Sequence, residues 1–149
     1  MSVSRERYFR GLFATAAIYD LVLGVVFLFF GRWAFDVLDI DEKYPEGGFL
    51  QLIGAFVLVL GIGYYLIWRS DLWRNRDLVA VGALYKLAYT GVGLWIAVFD
   101  EVPHMLFLWA FGIADAVFLV LMIECLVYLY HHRPLPDAVA KGPVPAGTG

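Results

Sequence analysis

Three ionisable residues stand inside the most apolar stretches of this chain: Asp20 in ATAAIYDLVLGVVF, Lys86 in VGALYKLAYTGVGLW and Asp115 in FGIADAVFLV. A lone charge in hydrocarbon costs about 2.5–3.5 kcal/mol on insertion scales, so groups of opposite sign at one depth are expected to meet. Two carboxylates and one ammonium suit an ion pair or triad with Lys86 bridging Asp20 and Asp115. Alternatively, one carboxyl holds a proton and donates a hydrogen bond. Two roles stay open for such a cluster: a clamp that fixes helix register, or a polar anchor in a ligand cavity or proton path. Tyr19 precedes Asp20, Tyr85 precedes Lys86, and Tyr89 follows Lys86 by most of a turn, so their hydroxyls are candidates for the same layer. The alternative for these tyrosines is plain packing, with each hydroxyl satisfied locally. Tyr64 and Tyr65 read as interfacial belt residues at the end of the second span.

The elements that must position these groups are transmembrane helices. The chain has 149 residues, of which 62 % are hydrophobic and 17 % aromatic, and its mean hydropathy is +0.74. Those values lie outside the soluble globular range. Four apolar runs reach the roughly 20 residues that a helix needs to cross hydrocarbon: about Gly11 to Phe30, Phe49 to Trp68, Leu78 to Phe99 and His104 to Tyr130. None shows the period-2 alternation of a barrel strand, so the expected fold is an all-α integral membrane four-helix bundle. At about 1.5 Å per residue, Asp20 lies roughly 13 Å from one end of its span, Lys86 roughly 12 Å from that same side, and Asp115 roughly 16 Å from the other. The three charges therefore share a layer near mid-membrane.

Flanking charge sets the expected orientation. Arg5, Arg7 and Arg10 precede the first span, Arg69, Arg74 and Arg76 join the second to the third, and Arg133 and Lys141 follow the fourth. The opposite side has Arg32 and Lys43 among Asp36, Asp39, Asp41, Glu42 and Glu46, and then Asp100 and Glu101. Both termini are expected in the cytoplasm, in an inner or plasma membrane. The basic start followed by an apolar run looks like a signal peptide, but the run continues to Phe30 without a small-x-small cleavage site, so it reads as a retained span. Trp33, Trp68, Trp73 and Tyr130 fall where an interfacial belt is expected. Between the first two spans, GRWAFDVLDIDEKYPEGG places Trp33, Ala34, Val37 and Leu38 on one helical face, predicting a short interfacial helix that Pro45, Gly47 and Gly48 end. It is either a connector or the cap of an outward cavity. Residues 1–133 form the expected four-span domain, and the Pro, Gly and Ala-rich 134–149 an expected disordered tail.

Several chemistries are excluded or disfavoured. A net charge of -3 offers no basic stripe for nucleic acid. One cysteine, Cys125, makes no intrachain disulfide or CxxC pair. His131 and His132 are adjacent and do not share a helix face, so no metal site is expected. Neither HExxH, GxSxG nor a Walker loop is present, and the reading leans away from an enzyme. Glu124 is placed to snorkel to headgroups or pair with Arg10. Gly54, Gly61, Gly82, Gly91 and Gly93, and Gly112 with Ala116, suggest close helix packing within one bundle, with a homo-oligomer as the alternative.

The layout resembles the DoxX-like small membrane proteins over residues 7 to 130. The resemblance rests on a four-span chain of this length, an interfacial stretch ending in Pro after span one, the glycine-bearing FLQLIGAFVLVLGIGYYL and a short final outer turn. Some members of that family are similar to terminal-oxidase or quinone-oxidoreductase subunits. The resemblance therefore implies a quinone, a lipid or a membrane complex as partner. The trio Asp20, Lys86 and Asp115 departs from the pattern, and no catalytic residue is carried over. Three functions are weighed: a binding or accessory subunit holding a quinone or lipid or docking on a membrane enzyme complex, a proton-coupled small-molecule transporter, and a membrane enzyme acting on a lipid-like substrate. Lys86 speaks against the transporter, because it neutralises the acid that cation exchange needs.

Overall fold

The computed structural model describes residues 3–40, 45, 47–99 and 104–132; the division at residue 133 and the tail beyond it lie outside that range. Helix α1 spans Val3–Phe29, α2 Gly31–Val37, α3 Phe49–Arg69 and α4 Arg76–Phe99. The last span is built from α5 (Met105–Phe107), a π-helical segment (Leu108–Ala114) and α6 (Asp115–His131). No strand occurs among the described residues. Four helices are long and apolar enough to cross a membrane, so the protein is an all-α bundle of four candidate spans. Helix α1 has 27 residues, about 40 Å at 1.5 Å per residue. That is longer than the roughly 30 Å hydrocarbon core a span must cross.

The spans pair unequally. Helices α1 and α3 meet backbone to backbone, because glycines replace side chains on the contact. A Cβ on Gly24 would lie 2.7 Å from the Leu58 nitrogen, on Gly54 2.7 Å from the Leu28 nitrogen, and on Gly61 2.8 Å from the Leu21 nitrogen. Without a hydrophobic drive between helices in lipid, such close approach is what holds two spans together. Gly93 similarly lets α4 approach the π-helical segment, with a Cβ there 3.4 Å from the Phe111 carbonyl oxygen. Gly91, expected in the same role, faces open space. Between α3 and α4 the chain turns on itself: Ser70 Oγ donates to the Leu66 carbonyl at 2.5 Å, and Asn75 Nδ2 donates to Ser70 Oγ and to the Asp71 carbonyl at 2.7 Å each. Leu72 plugs the turn into the core.

Two apolar clusters result. One joins Phe9, Phe13, Tyr64, Ile67, Met122 and Tyr128 in the half nearer the N terminus. The other joins Phe27, Phe35 and Leu50, with Phe107 and Phe111 against it, in the far half. Counting along α1, Asp20 falls between them. Helix α2 forms where the sequence predicts a short helix, and of its expected apolar face Ala34 alone turns into the bundle. Ala34 and Phe35 are buried, whereas Trp33, Val37 and Leu38 are exposed. The helix also stops earlier than Pro45: the backbone turns at Asp39, which takes the left-handed φ of 50°. Gly47 and Gly48, at φ 76° and 78°, then lead into α3.

Candidate functional site

The three charges meet. Lys86 Nζ donates to Asp20 Oδ1 and to Asp115 Oδ1, each at 2.8 Å. All three side chains are 1–2 % exposed. Helix α1 supplies Asp20, α4 supplies Lys86 from the opposite pair, and α6 supplies Asp115 at its first residue, so the triad ties three spans at one level. Removing one partner from such a buried pair typically costs about 3–5 kcal/mol, since the remaining charge is left unpaired.

Aromatic rings enclose the rest of the ammonium. Its nitrogen lies 5.0 Å from the Tyr19 ring centroid, 5.0 Å from Tyr85, 5.5 Å from Phe118 and 5.8 Å from Tyr64. These are cation–π distances, and in a site this buried each ring adds to the stabilisation of the charge. Two of these rings are also fixed by their hydroxyls. Tyr19 donates to the Ala110 carbonyl at 2.8 Å, and Tyr64 donates to the Gly82 carbonyl at 3.1 Å. Ala110 belongs to the π-helical segment, whose widened turn ends at Asp115; π-helical turns are rare and concentrate at functional sites.

Of the six candidate residues, five form this cluster: Asp20, Lys86, Asp115, Tyr19 and Tyr85. Tyr89 stands apart. Its ring packs on Tyr85 at 4.6 Å and against Phe111 at 6.1 Å, so it reaches the cluster only through Tyr85. Two members escaped the sequence reading. Tyr64 is 2 % exposed and belongs to the core rather than to an interfacial belt; it sits three residues after Gly61, on the face of α3 turned to α1. Phe118 lies three residues after Asp115, hence on the same face of α6. Two buried polar atoms of this layer find no hydrogen-bond partner among the described residues, Asp20 Oδ2 and Thr90 Oγ1.

Beyond Tyr89, in the far half of the bundle, an apolar cleft of about 230 Å³ separates α3 from α4. Phe27, Leu50, Ile53, Tyr89, Phe107 and Phe111 line it. Among the described residues, Tyr89 is its only lining residue with a polar side chain. Other expected partners fall elsewhere. Arg10 pairs with Glu6 at 3.1 Å and not with Glu124, because the two lie one turn apart on α1. His131 and His132 are each bonded through Nδ1 to the carbonyl four residues earlier, at 2.8 and 3.0 Å. Among the described residues no three His, Cys, Asp or Glu side chains are grouped to hold a metal. Cys125 is buried in the core. Comparison with protein-family models, with curated proteins and with solved structures returned no match.

Proposed function

We propose that this protein is a binding or accessory subunit of a membrane, in which the apolar cleft takes part of an uncharged amphiphile such as a quinone or lipid. The triad beneath the cleft is the clamp that keeps it open. The observation that carries this reading is the cleft itself: three phenylalanines and one tyrosine converge where α3 stands apart from α4. At about 230 Å³ it is smaller than the roughly 300–1,000 Å³ of sites that enclose a drug-sized ligand. A ring or a length of chain fits, with the remainder of the ligand lying in the bilayer. A charged headgroup finds no counter-ion among the described lining residues, while the Tyr89 hydroxyl suits a carbonyl or hydroxyl of the ligand.

Proton-coupled transport is the second reading, favoured by one observation: Asp20 Oδ2 is a buried carboxylate oxygen with no partner among the described residues. Both termini are proposed to be cytoplasmic. Arg5, Arg7, Arg10, Arg69, Arg74 and Arg76 gather at the end of the bundle formed by the start of α1 and the α3–α4 turn. The DoxX-like affiliation, and with it docking on a membrane complex, is part of the same proposal and rests on span order and length.

Gentle purification followed by native and lipid mass spectrometry tests it. One apolar ligand per chain is expected, and Ile53→Trp, which fills the cleft from its rim, should lower the occupancy at least tenfold without lowering the melting temperature. A stable, empty wild-type protein, or a ligand that Ile53→Trp does not displace, would overturn the binding reading.

A further inference from the structure

We infer that the outer face of the α4–α6 pair is a second, separate lipid site, shaped for a phospholipid with a zwitterionic headgroup that bears a primary ammonium. The seam between these helices holds two openings. Near the α3–α4 turn, a pocket of about 490 Å³ is lined by Trp73, Arg76, Asp77, Val127, Tyr130 and His131. Farther along, a groove of about 430 Å³ is lined by Leu94, Ala116, Val117 and Val120 and reaches Thr90. Residues seven apart share a helix face. Ala80, Leu87 and Leu94 therefore run in one line along α4, and Val120 and Val127 in one line along α6. Ala80 and Val127 line the first opening, Leu94, Ile113 and Val120 the second. These lines set the two openings one after the other along the same seam, with Leu87 and Glu124 between them.

The pocket is dipolar. Arg76 Nε meets Asp77 Oδ1 at 3.2 Å, and the Asp77 side chain is 93 % exposed, so its carboxylate is open to a second cation. An exposed pair of this kind is weak and readily shared with a ligand. Arg76 also lies over the Trp73 ring, 5.3 Å from its centroid, which holds the guanidinium at the rim. His131 Nδ1 is engaged by the Val127 carbonyl at 2.8 Å, leaving Nε2 for the pocket. A lipid phosphate suits the guanidinium, and an ammonium with N–H donors suits Asp77. Glu124, exposed between Val120 and Val127 on the same face of α6, disfavours an acidic headgroup. From Arg76 to Thr90 the seam rises about 21 Å, somewhat more than the roughly 15 Å from interface to midplane. It therefore accommodates a headgroup and one acyl chain within a single leaflet.

The test is competition among phosphatidylethanolamine, phosphatidylcholine and phosphatidylglycerol in mixed micelles with the full chain, read by native mass spectrometry. At least threefold preference for phosphatidylethanolamine over each of the others is expected. Asp77→Asn should remove the preference over phosphatidylcholine, Val120→Trp should lower retention of all headgroups, and Ile53→Trp should leave the preference unchanged. Equal retention of the three lipids, preference for phosphatidylglycerol, or loss of the preference in Ile53→Trp would overturn the site. The last outcome would assign the lipid to the cleft instead, while failure of the cleft alone leaves the Asp77 effect in place.

Discussion

Tyr64 and Gly82 are made for each other: the tyrosine hydroxyl donates to the glycine carbonyl at 3.1 Å, and a Cβ on Gly82 would stand 2.5 Å from the tyrosine Cε1. The contact joins α3 to α4, where the two otherwise touch little, and it places the Tyr64 ring beside the Lys86 ammonium. Gly82→Ala must displace a buried ring, and overpacking of that kind costs about 1–3 kcal/mol. The gain in helix propensity, about 1 kcal/mol, offsets only part of it. A lower melting temperature in detergent is expected for Gly82→Ala, and a smaller decrease for Tyr64→Phe, which loses only the hydrogen bond. An unchanged melting temperature for both would mean that α3 and α4 are not held by this contact.

The triad gives an ordered series. Lys86→Met leaves two carboxylates buried without a cation and should destabilise by about 3–5 kcal/mol. Asp115→Asn leaves Lys86 paired with Asp20 and should cost less. Simultaneous Asp20→Asn, Lys86→Met and Asp115→Asn removes every charge and should recover much of the loss, because isolated charge, not absence of charge, is what the interior penalises. Thermal unfolding in detergent ranks the three. Damage in the triple variant equal to that of Lys86→Met would sink the clamp reading.

This triad was legible in the sequence because charges in hydrocarbon must find partners, and depth along a helix is simple counting. The four spans and the short helix after the first were legible from hydropathy. Rotation about each helix axis was not. Tyr64 and Tyr65 are neighbours in sequence yet 100° apart on α3; only the line of Gly54, Gly61 and Tyr64 shows which of them turns inward. Trp33 and Val37 follow the same logic. Their spacing defines a face of α2, but Ala34 and Phe35 are the residues that pack, so the larger apolar face is left outward. The π-helical turn before Asp115 has no composition of its own. Tyr19 bonds to it from outside the segment, at the Ala110 carbonyl.

The Tyr19 contact predicts a local effect. Tyr19→Phe keeps the ring beside Lys86 and removes only the donor to Ala110, at an expected cost of about 1 kcal/mol. Faster amide exchange should then be confined to residues 108–115. Exchange that rises uniformly across α1 and α6 instead would assign Tyr19 to general packing.

The glycine seam between α1 and α3 predicts opposite signs for two substitutions that are chemically the same. Gly61→Ala places a Cβ 2.8 Å from the Leu21 nitrogen, which is backbone and does not give way, so the two helices must separate along their length. Gly63, two residues on, has nothing within 4 Å of the same position. Gly63→Ala therefore gains helix propensity, about 0.5–1 kcal/mol, at no steric cost. The melting temperature in detergent should fall for Gly61→Ala and rise slightly for Gly63→Ala. The same change at Gly91, which also faces open space, should behave like Gly63→Ala. If Gly61→Ala is as well tolerated as the other two, the backbones of α1 and α3 are farther apart than this contact requires.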